Sequence, residues 1–368
     1  MGPDSSLDPP SCSDRPSRKR PRTESESDDR DNSDKSTWSR DEQFWLTDGN
    51  IIIVAQDVGF RTYKGWLAVQ SEVFRDMFSI AQPATADLKQ ADVSEGCPVV
   101  HVTDTAAEIR SLLSVLFSGR NYMRRQKLSF ADIANCTRLA HKYVIQDLLE
   151  DSLEDLKQYF PETFDLWDKR LHCNPRTRAI EAVNLARITG TTSIIPAALY
   201  SCAQLNGSRL LKGCVREDGV VETLSTEDLS RCIDAKQDLS ARTTRLICQL
   251  FDTVENSLCR AFERRCNASI AGVKAFLLKS ERGLQGGTFP ALGSWKTYIS
   301  EHDSKIYSRV THPICSSCIT VLCRRETDLR TQVWSELPKL LCLDDDDASS
   351  GTEGEKDEDE DEDSSEEE

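Results

Sequence analysis

No stretch of this 368-residue chain approaches the ~20 apolar residues needed to cross a bilayer, so no membrane partner is expected. The densest apolar run, Ile51 to Ala55, is strand-sized. The first residues lack the apolar segment of a signal peptide, and no secretory leader is expected. Histidine is scarce, at five residues. No H-E-x-x-H or paired-carboxylate pattern occurs, and among fourteen cysteines any Cys/His pairing would be a chance one. Gly283, Gly286 and Gly287 neither follow a strand nor open a helix, as a phosphate-cradling loop must, and read as a turn. No fixed-period repeat supports a solenoid. No zinc-finger ladder or basic stripe is present, so direct contact with nucleic acid is not expected. Together these absences point away from an enzyme.

What is there divides unevenly. The formal charge is −16, but residues 344–368 hold sixteen Asp/Glu and one Lys. The rest of the chain is close to neutral, so the acidity belongs to the tail. That tail, like residues 1–40, has too little apolar content to offset ordering entropy, and both are expected to be disordered. An acidic tail can screen basic partners such as histones, though most serve solubility. Within the head, Arg18, Lys19, Arg20 and Arg22 beside Pro21 form a dense cationic peptide, a candidate nuclear signal. The location expected is therefore nuclear or nucleocytoplasmic. The Ser/Asp/Glu run that follows is a candidate phosphorylation zone. The scattered cysteines, without a secretion signal, read as reduced and mostly buried thiols.

Between the tails, residues 41–160 carry the densest patterning. Residues 50–56 form a β-branched strand, and Phe60 to Lys64 a second, giving a hairpin. Gly65 to Phe78 turns to helical spacing, with Trp66, Leu67, Val73, Phe74, Met77 and Phe78 covering one side. Cys97 to Thr103 alternates as a third strand. Asp104 or Thr105 can cap the next helix, with Glu108 in its first turn and Ile109, Leu112, Leu113, Leu116 and Phe117 as its stripe. Ser129 opens another helix, and Val144 to Leu156 supplies one more. Strands first and helices after is the pattern of a small α+β domain.

Two motifs in this stretch resemble the BTB (POZ) family. One is Tyr63-Lys64-Gly65-Trp66-Leu67-Ala68 followed by Ser71, Phe74, Met77 and Phe78; the other is Leu139-Ala140-His141-Lys142-Tyr143-Val144-Ile145. Tyr63 stands where the family usually places His. The F-W-L-T-D-G-N ahead of the first strand looks most like the large BTB sets of mushroom-forming fungi. The resemblance implies an α+β BTB/POZ domain over 41–160, followed by a mostly α-helical domain over 162–343. It also implies protein–protein interaction: a homodimer formed through Phe44, Trp45 and Leu46, and partner recruitment. An alternative is a substrate adaptor docking a cullin ubiquitin-ligase scaffold through Val93 and Glu95, and another is a zinc-stabilised regulator of chromatin.

Past Pro161 helices are expected throughout. Asn174-Pro175 reads as a helix start and Gly190 as a stop. Ser225-Thr226-Glu227-Asp228 is a capping box for a helix to about Gln237. Leu246, Leu250, Val254, Leu258 and Phe262 step by four as one further helix, and two more helices span Tyr298 to Val310 and Ile314 to Leu337. No cofactor is required by these patterns. The exception they would allow is zinc at Cys315 and Cys318, with His312 before them and Cys259, Cys266 and His302 as further candidates. Buried thiols in a helical core are the simpler reading, and a thiol redox site lacks its βαβ setting.

Overall fold

Ile51–Ala55 (β2) is the centre of the sheet, and all five residues are buried. Four of the five are β-branched, which favours extended backbone and burial on both faces. The computed structural model describes residues 37–79, 93–118, 128–169, 178–259, 263–279, 291–300 and 312–343. From Trp38 onward they belong to one compact unit of mixed α/β architecture. The basic head, the acidic tail, Asn174-Pro175 and the 283–287 glycines lie outside the described residues.

Strands β1 (Ser39–Trp45), β2, β3 (Val58–Thr62), β4 (Val93–Ser94) and β5 (Cys97–Val102) form one sheet in the order β1-β3-β2-β5-β4. The expected hairpin is β2 against β3, antiparallel. The expected third strand, β5, runs parallel to β2 with Ile53 beside Val100. Alternation along β2 sends Ile53 and Ala55 to one face with Phe60, and Ile52 and Val54 to the other with Cys97 and Val99. Trp38 and Trp45 cover that second face, their ring centroids 5.7 Å apart.

The strand at the edge was not expected. Composition puts residues 39 and 40 in the head, and the patterning puts Phe44, Trp45 and Leu46 ahead of the first strand. Instead Ser39–Trp45 pairs parallel to β3, with an irregularity between Arg40 and Trp45. Asp41 makes that irregularity: its Oδ1 accepts from Gln43 N at 3.0 Å and Phe44 N at 2.8 Å. Arg110 grips its Oδ2 at 2.7 Å. Trp38 reaches the sheet because residue 59 is glycine; a Cβ there would lie 2.4 Å from the indole.

Helices α1 (Lys64–Gln70), α2 (Glu72–Ser79), α3 (Ala106–Ser118), α4 (Phe130–Lys142) and α5 (Gln146–Tyr159) lie in the sequence regions expected for them. Leu67, Phe74, Ile109, Leu112, Leu113, Leu116, Leu139 and Tyr143 join Ile53 and Phe60 in one core. Trp66, expected inside, is 42% exposed. Thr105 caps α3 in a reciprocal box: Glu108 N donates to Thr105 Oγ1 at 3.2 Å, and Thr105 N to Glu108 Oε2 at 2.8 Å. Ser71 ends α1 and opens α2, where its Oγ accepts from Phe74 N and donates to Tyr143 O at 2.6 Å. Phe74 stacks on Tyr143 with centroids 4.2 Å apart. Tyr143 OH and Lys142 Nζ both donate to Asp104.

The second core is built by α6 (Phe164–Lys169), α7 (Ala179–Thr189), α8 (Ile195–Ala203), α9 (Gly207–Lys212), α10 (Thr226–Leu250), α11 (Glu263–Lys279), α12 (Lys296–Ser300), α13 (Ser316–Ser335) and α14 (Leu337–Leu340). It includes Ile133 and Ala134 of α4, so the two cores share that helix. Gly190 stops α7 in the left-handed conformation at φ 68°, as glycine there should. A two-stranded hairpin, β6 (Cys214–Val215) with β7 (Val221–Glu222), was missed; its one sequence signal is Asp218-Gly219. Ser225 does cap α10, but that helix runs to Leu250 rather than Gln237. The four-residue stepping through Val254 and Leu258 is not helical. Arg325 of α13 closes the end of α10 by donating to Leu250 O at 3.2 Å and Asp252 O at 3.1 Å. Pro338 sits in the first turn of α14 rather than ending the helical region.

Where the cores meet, Arg138 of α4 donates to Glu108 of α3 at 3.1 Å, Glu181 of α7 at 3.1 Å and Glu222 of β7 at 3.0 Å. Arg216 joins from the hairpin, 2.7 Å from Glu108 and paired with Asp218. Thr105 Oγ1 donates to Asp218 at 2.9 Å.

Candidate metal centre

Four cysteine sulfurs, from Cys259, Cys266, Cys315 and Cys318, lie within 4.8 Å of one another and could hold a metal ion. Three structural pieces deliver them. Cys266 is buried in the first turns of α11, and Cys318 is buried in the first turn of α13. Cys315 is the residue before α13, with extended backbone at φ −71° and ψ 155°. It occupies the capping position without capping the helix through its side chain. Its N–H donates to Cys266 Sγ at 3.5 Å. Cys259 comes from the loop that follows α10, and its N–H donates to Asn256 O at 2.9 Å.

The spacing discriminates between covalent and coordinate chemistry. Cys259 Sγ is 3.6 Å from Cys266 Sγ and 3.7 Å from Cys315 Sγ. A disulfide needs about 2.05 Å, so these are free thiols. Bonds of about 2.3 Å to a central ion put the corners of a tetrahedral thiolate set about 3.8 Å apart, which the two Cys259 edges match. Four sulfur donors and no oxygen disfavour calcium or magnesium and suit zinc or a single iron. All four corners are protein ligands, which is the pattern of a structural rather than a catalytic site.

The electrostatics are uneven. Desolvation pushes the Cys315 thiol up, but hydrogen bonds from the Cys318 N–H and from the Cys318, Cys259 and Cys266 thiols more than offset it and leave it at about 6. Burial pushes Cys318 well above the usual thiol range, and Cys266 is raised by burial as well. One group is thus ready as a thiolate at neutral pH, while others must release protons to a metal, which makes binding pH-dependent.

The sequence names all four of these cysteines, Cys315 and Cys318 as the leading pair and Cys259 and Cys266 as further candidates. Cys315 and Cys318 are in the cluster, but His312 is not. That residue is exposed, and its carbonyl accepts from Ser269 Oγ at 2.7 Å. Cys259 and Cys266 complete the set from a loop and a helix, not from the single helix that the four-residue stepping through Leu258 implies. Cys259 sits in a loop because Asp252 and Asn256 turn the chain there, accepting from Thr253 N at 2.9 Å and Leu258 N at 3.0 Å. His302 lies outside the described residues.

The other candidate residues fall elsewhere. Phe44 is 5% exposed and tilts against Phe117 at 6.0 Å, so it fills its own core and is not available to a second copy. Trp45 and Leu46 stay part-exposed at the edge strand. Val93 pairs in register with Pro98. Glu95 occupies a tight turn at φ 50°, and its carboxylate pairs with Arg40 and, at 3.3 Å, with Arg61. The cluster Arg18, Lys19, Arg20 and Arg22 is outside the described residues. No helix among the described residues is long and apolar enough to cross a membrane. No family model matches the chain, and no curated protein compared with it matches either.

Proposed function

We propose that this chain is a non-enzymatic protein-interaction protein of the nucleus, in which a BTB-type module is carried on a helical region pinned by structural zinc. The observation that carries the module is the meeting of its two motifs. Ser71 and Phe74 of the first touch Tyr143 of the second across 72 residues, through one hydrogen bond and one ring stack. A polar contact that specific, inside an apolar core, favours one arrangement of α1, α2 and α4 over others. The module acts by pairing: the outer edge of β1 presents Trp45 and Leu46 to a second copy in a two-fold contact. Light scattering should give twice the 41.3 kDa of one chain, and Leu46→Glu should return it to one. A wild-type chain that scatters as a monomer at concentrations of tens of micromolar would sink the pairing.

Zinc is assigned to the four thiols on their spacing. The ion would supply the positive charge that lets four thiolates sit together, and thereby tie the loop after α10 to α11 and α13. Elemental analysis of chain purified without chelator should find one zinc per chain, lost in Cys315→Ser. Iron in place of zinc would keep the site and change its occupant. The basic cluster at Arg18 to Arg22 serves import; replacing Arg18, Lys19, Arg20 and Arg22 with Ala should leave the protein outside the nucleus.

A further inference from the structure

Three of the four thiols belong to helix starts, but Cys259 is carried by a loop, and a loop alone does not hold a ligand to a few tenths of an ångström. Asn256 touches both sides of the problem. Its side-chain Oδ1 accepts from Leu258 N at 3.0 Å, and its backbone O accepts from Cys259 N at 2.9 Å. The same side chain donates from Nδ2 to Cys318 Sγ at 3.8 Å, 62 residues away. The amide places an acceptor oxygen and a donor nitrogen on separate atoms of one short side chain, so both contacts are made at once.

A second asparagine serves the loop without touching sulfur through its side-chain amide. Asn267, which follows Cys266, accepts from Val254 N at 2.9 Å and donates to Val254 O at 3.2 Å. It clasps the loop entrance to α11, where Val254 is buried. The two asparagines divide the work: one fixes where the loop starts, the other where its thiol ends up.

We propose that Asn256 is the positioning residue of this centre, setting Cys259 at its corner and orienting the Cys318 sulfur through an N–H···S hydrogen bond. This rests on the metal assignment above. Hydrogen bonds from outside the ligand set orient metal ligands, and their loss typically weakens affinity by about 10–100-fold. A bond to sulfur also draws charge from it, so its loss lowers the energy of sulfur-to-metal charge transfer.

The test uses the full chain loaded with zinc or with cobalt(II). Asn256→Asp keeps the acceptor for Leu258 N and removes the donor to sulfur. Asn256→Ala, which has no donor and adds no charge, guards against an effect of the aspartate's charge alone. Both should weaken zinc in chelator competition by about 10–100-fold and shift the cobalt charge-transfer band to lower energy. Asn267→Ala should weaken binding without moving the band. If both Asn256 variants bind within about twofold of wild type with the band in place, the positioning role is overturned and the metal assignment stands. If the wild-type chain takes up no stoichiometric metal, both fall together.

Discussion

The Arg138 cluster and the four-cysteine cluster each join pieces of chain far apart in sequence, and they do so with opposite chemistry. Around Arg138, unlike charges from α3, α4, α7 and the β6–β7 hairpin meet and attract one another, though Glu181 Oε2 is buried without a hydrogen bond. Around Cys315, like groups meet, and as thiolates they repel. The first arrangement is complete when the chain folds. The second becomes cohesive only around a cation. An ion-paired junction therefore fixes the two cores to each other, while the far side of the second core depends on a guest.

Metal removal should separate the two clusters most sharply. Structural zinc contributes on the order of 10 kcal/mol in small zinc domains. Chelation, or Cys266→Ser, is expected to strip amide-exchange protection from α11 and α13 while α3 and α4 keep theirs. Uniform loss throughout would show that the two clusters act as one. Arg138→Ala comes next, because it leaves Glu108, Glu181 and Glu222 without their shared partner. The cost should be about 3–5 kcal/mol, read from the urea midpoint with zinc bound. An unchanged midpoint would mean that Arg216 alone carries the junction.

Acidity tests the junction from the other side. Burial raises the Glu181 carboxyl above its ordinary value of 4.5 although Arg138 opposes it. The folded state thus holds this proton more tightly than the unfolded state. Its contribution is full below the ordinary value and is lost as pH rises through the raised one. Relative to Glu181→Gln, the wild type should lose stability from pH 4 upward across that window, measured by denaturant titration at several pH values. A difference independent of pH would remove Glu181 from the account. The smallest effect is a local one outside both clusters: Ser225→Ala removes the cap donated to by Asp228 N at 3.1 Å and should cost about 1 kcal/mol. A cost several times larger would mean that the start of α10 belongs to one of the two clusters after all.

The sheet and its first helices were legible because their patterns are local. Ile51 to Ala55 is a run no helix surface would tolerate, and Ile109 to Leu116 repeats at helical spacing. Edge strand β1 was not legible, since S-R-D-E-Q-F-W has no alternation and its pairing depends on Arg110 and Gly59 from elsewhere and on the bend at its own Asp41. The loop after α10 deceived for the opposite reason. Val254 and Leu258 extend the stepping from Leu246 by coincidence, Val254 being buried by a loop and Leu258 74% exposed. At the candidate centre, C-x2-C announced one half, because two ligands on one helical turn are neighbours in sequence. The other half is assembled by tertiary packing, and proximity in sequence favoured His312 over Cys266, which stands 49 residues from Cys315.

The two indoles over the second face of the sheet set where the chain can be cut. A fragment begun at residue 41, as composition alone would advise, loses Trp38 and the first two residues of β1. Ile52 and Val54 would then keep only Trp45 over them, beside a β3 whose Val58 and Gly59 have lost their β1 partners, a template for strand addition between copies. Such a fragment should precipitate where one begun a few residues earlier stays in solution. A shuffled gene inheriting the module without its first tryptophan would inherit the same defect.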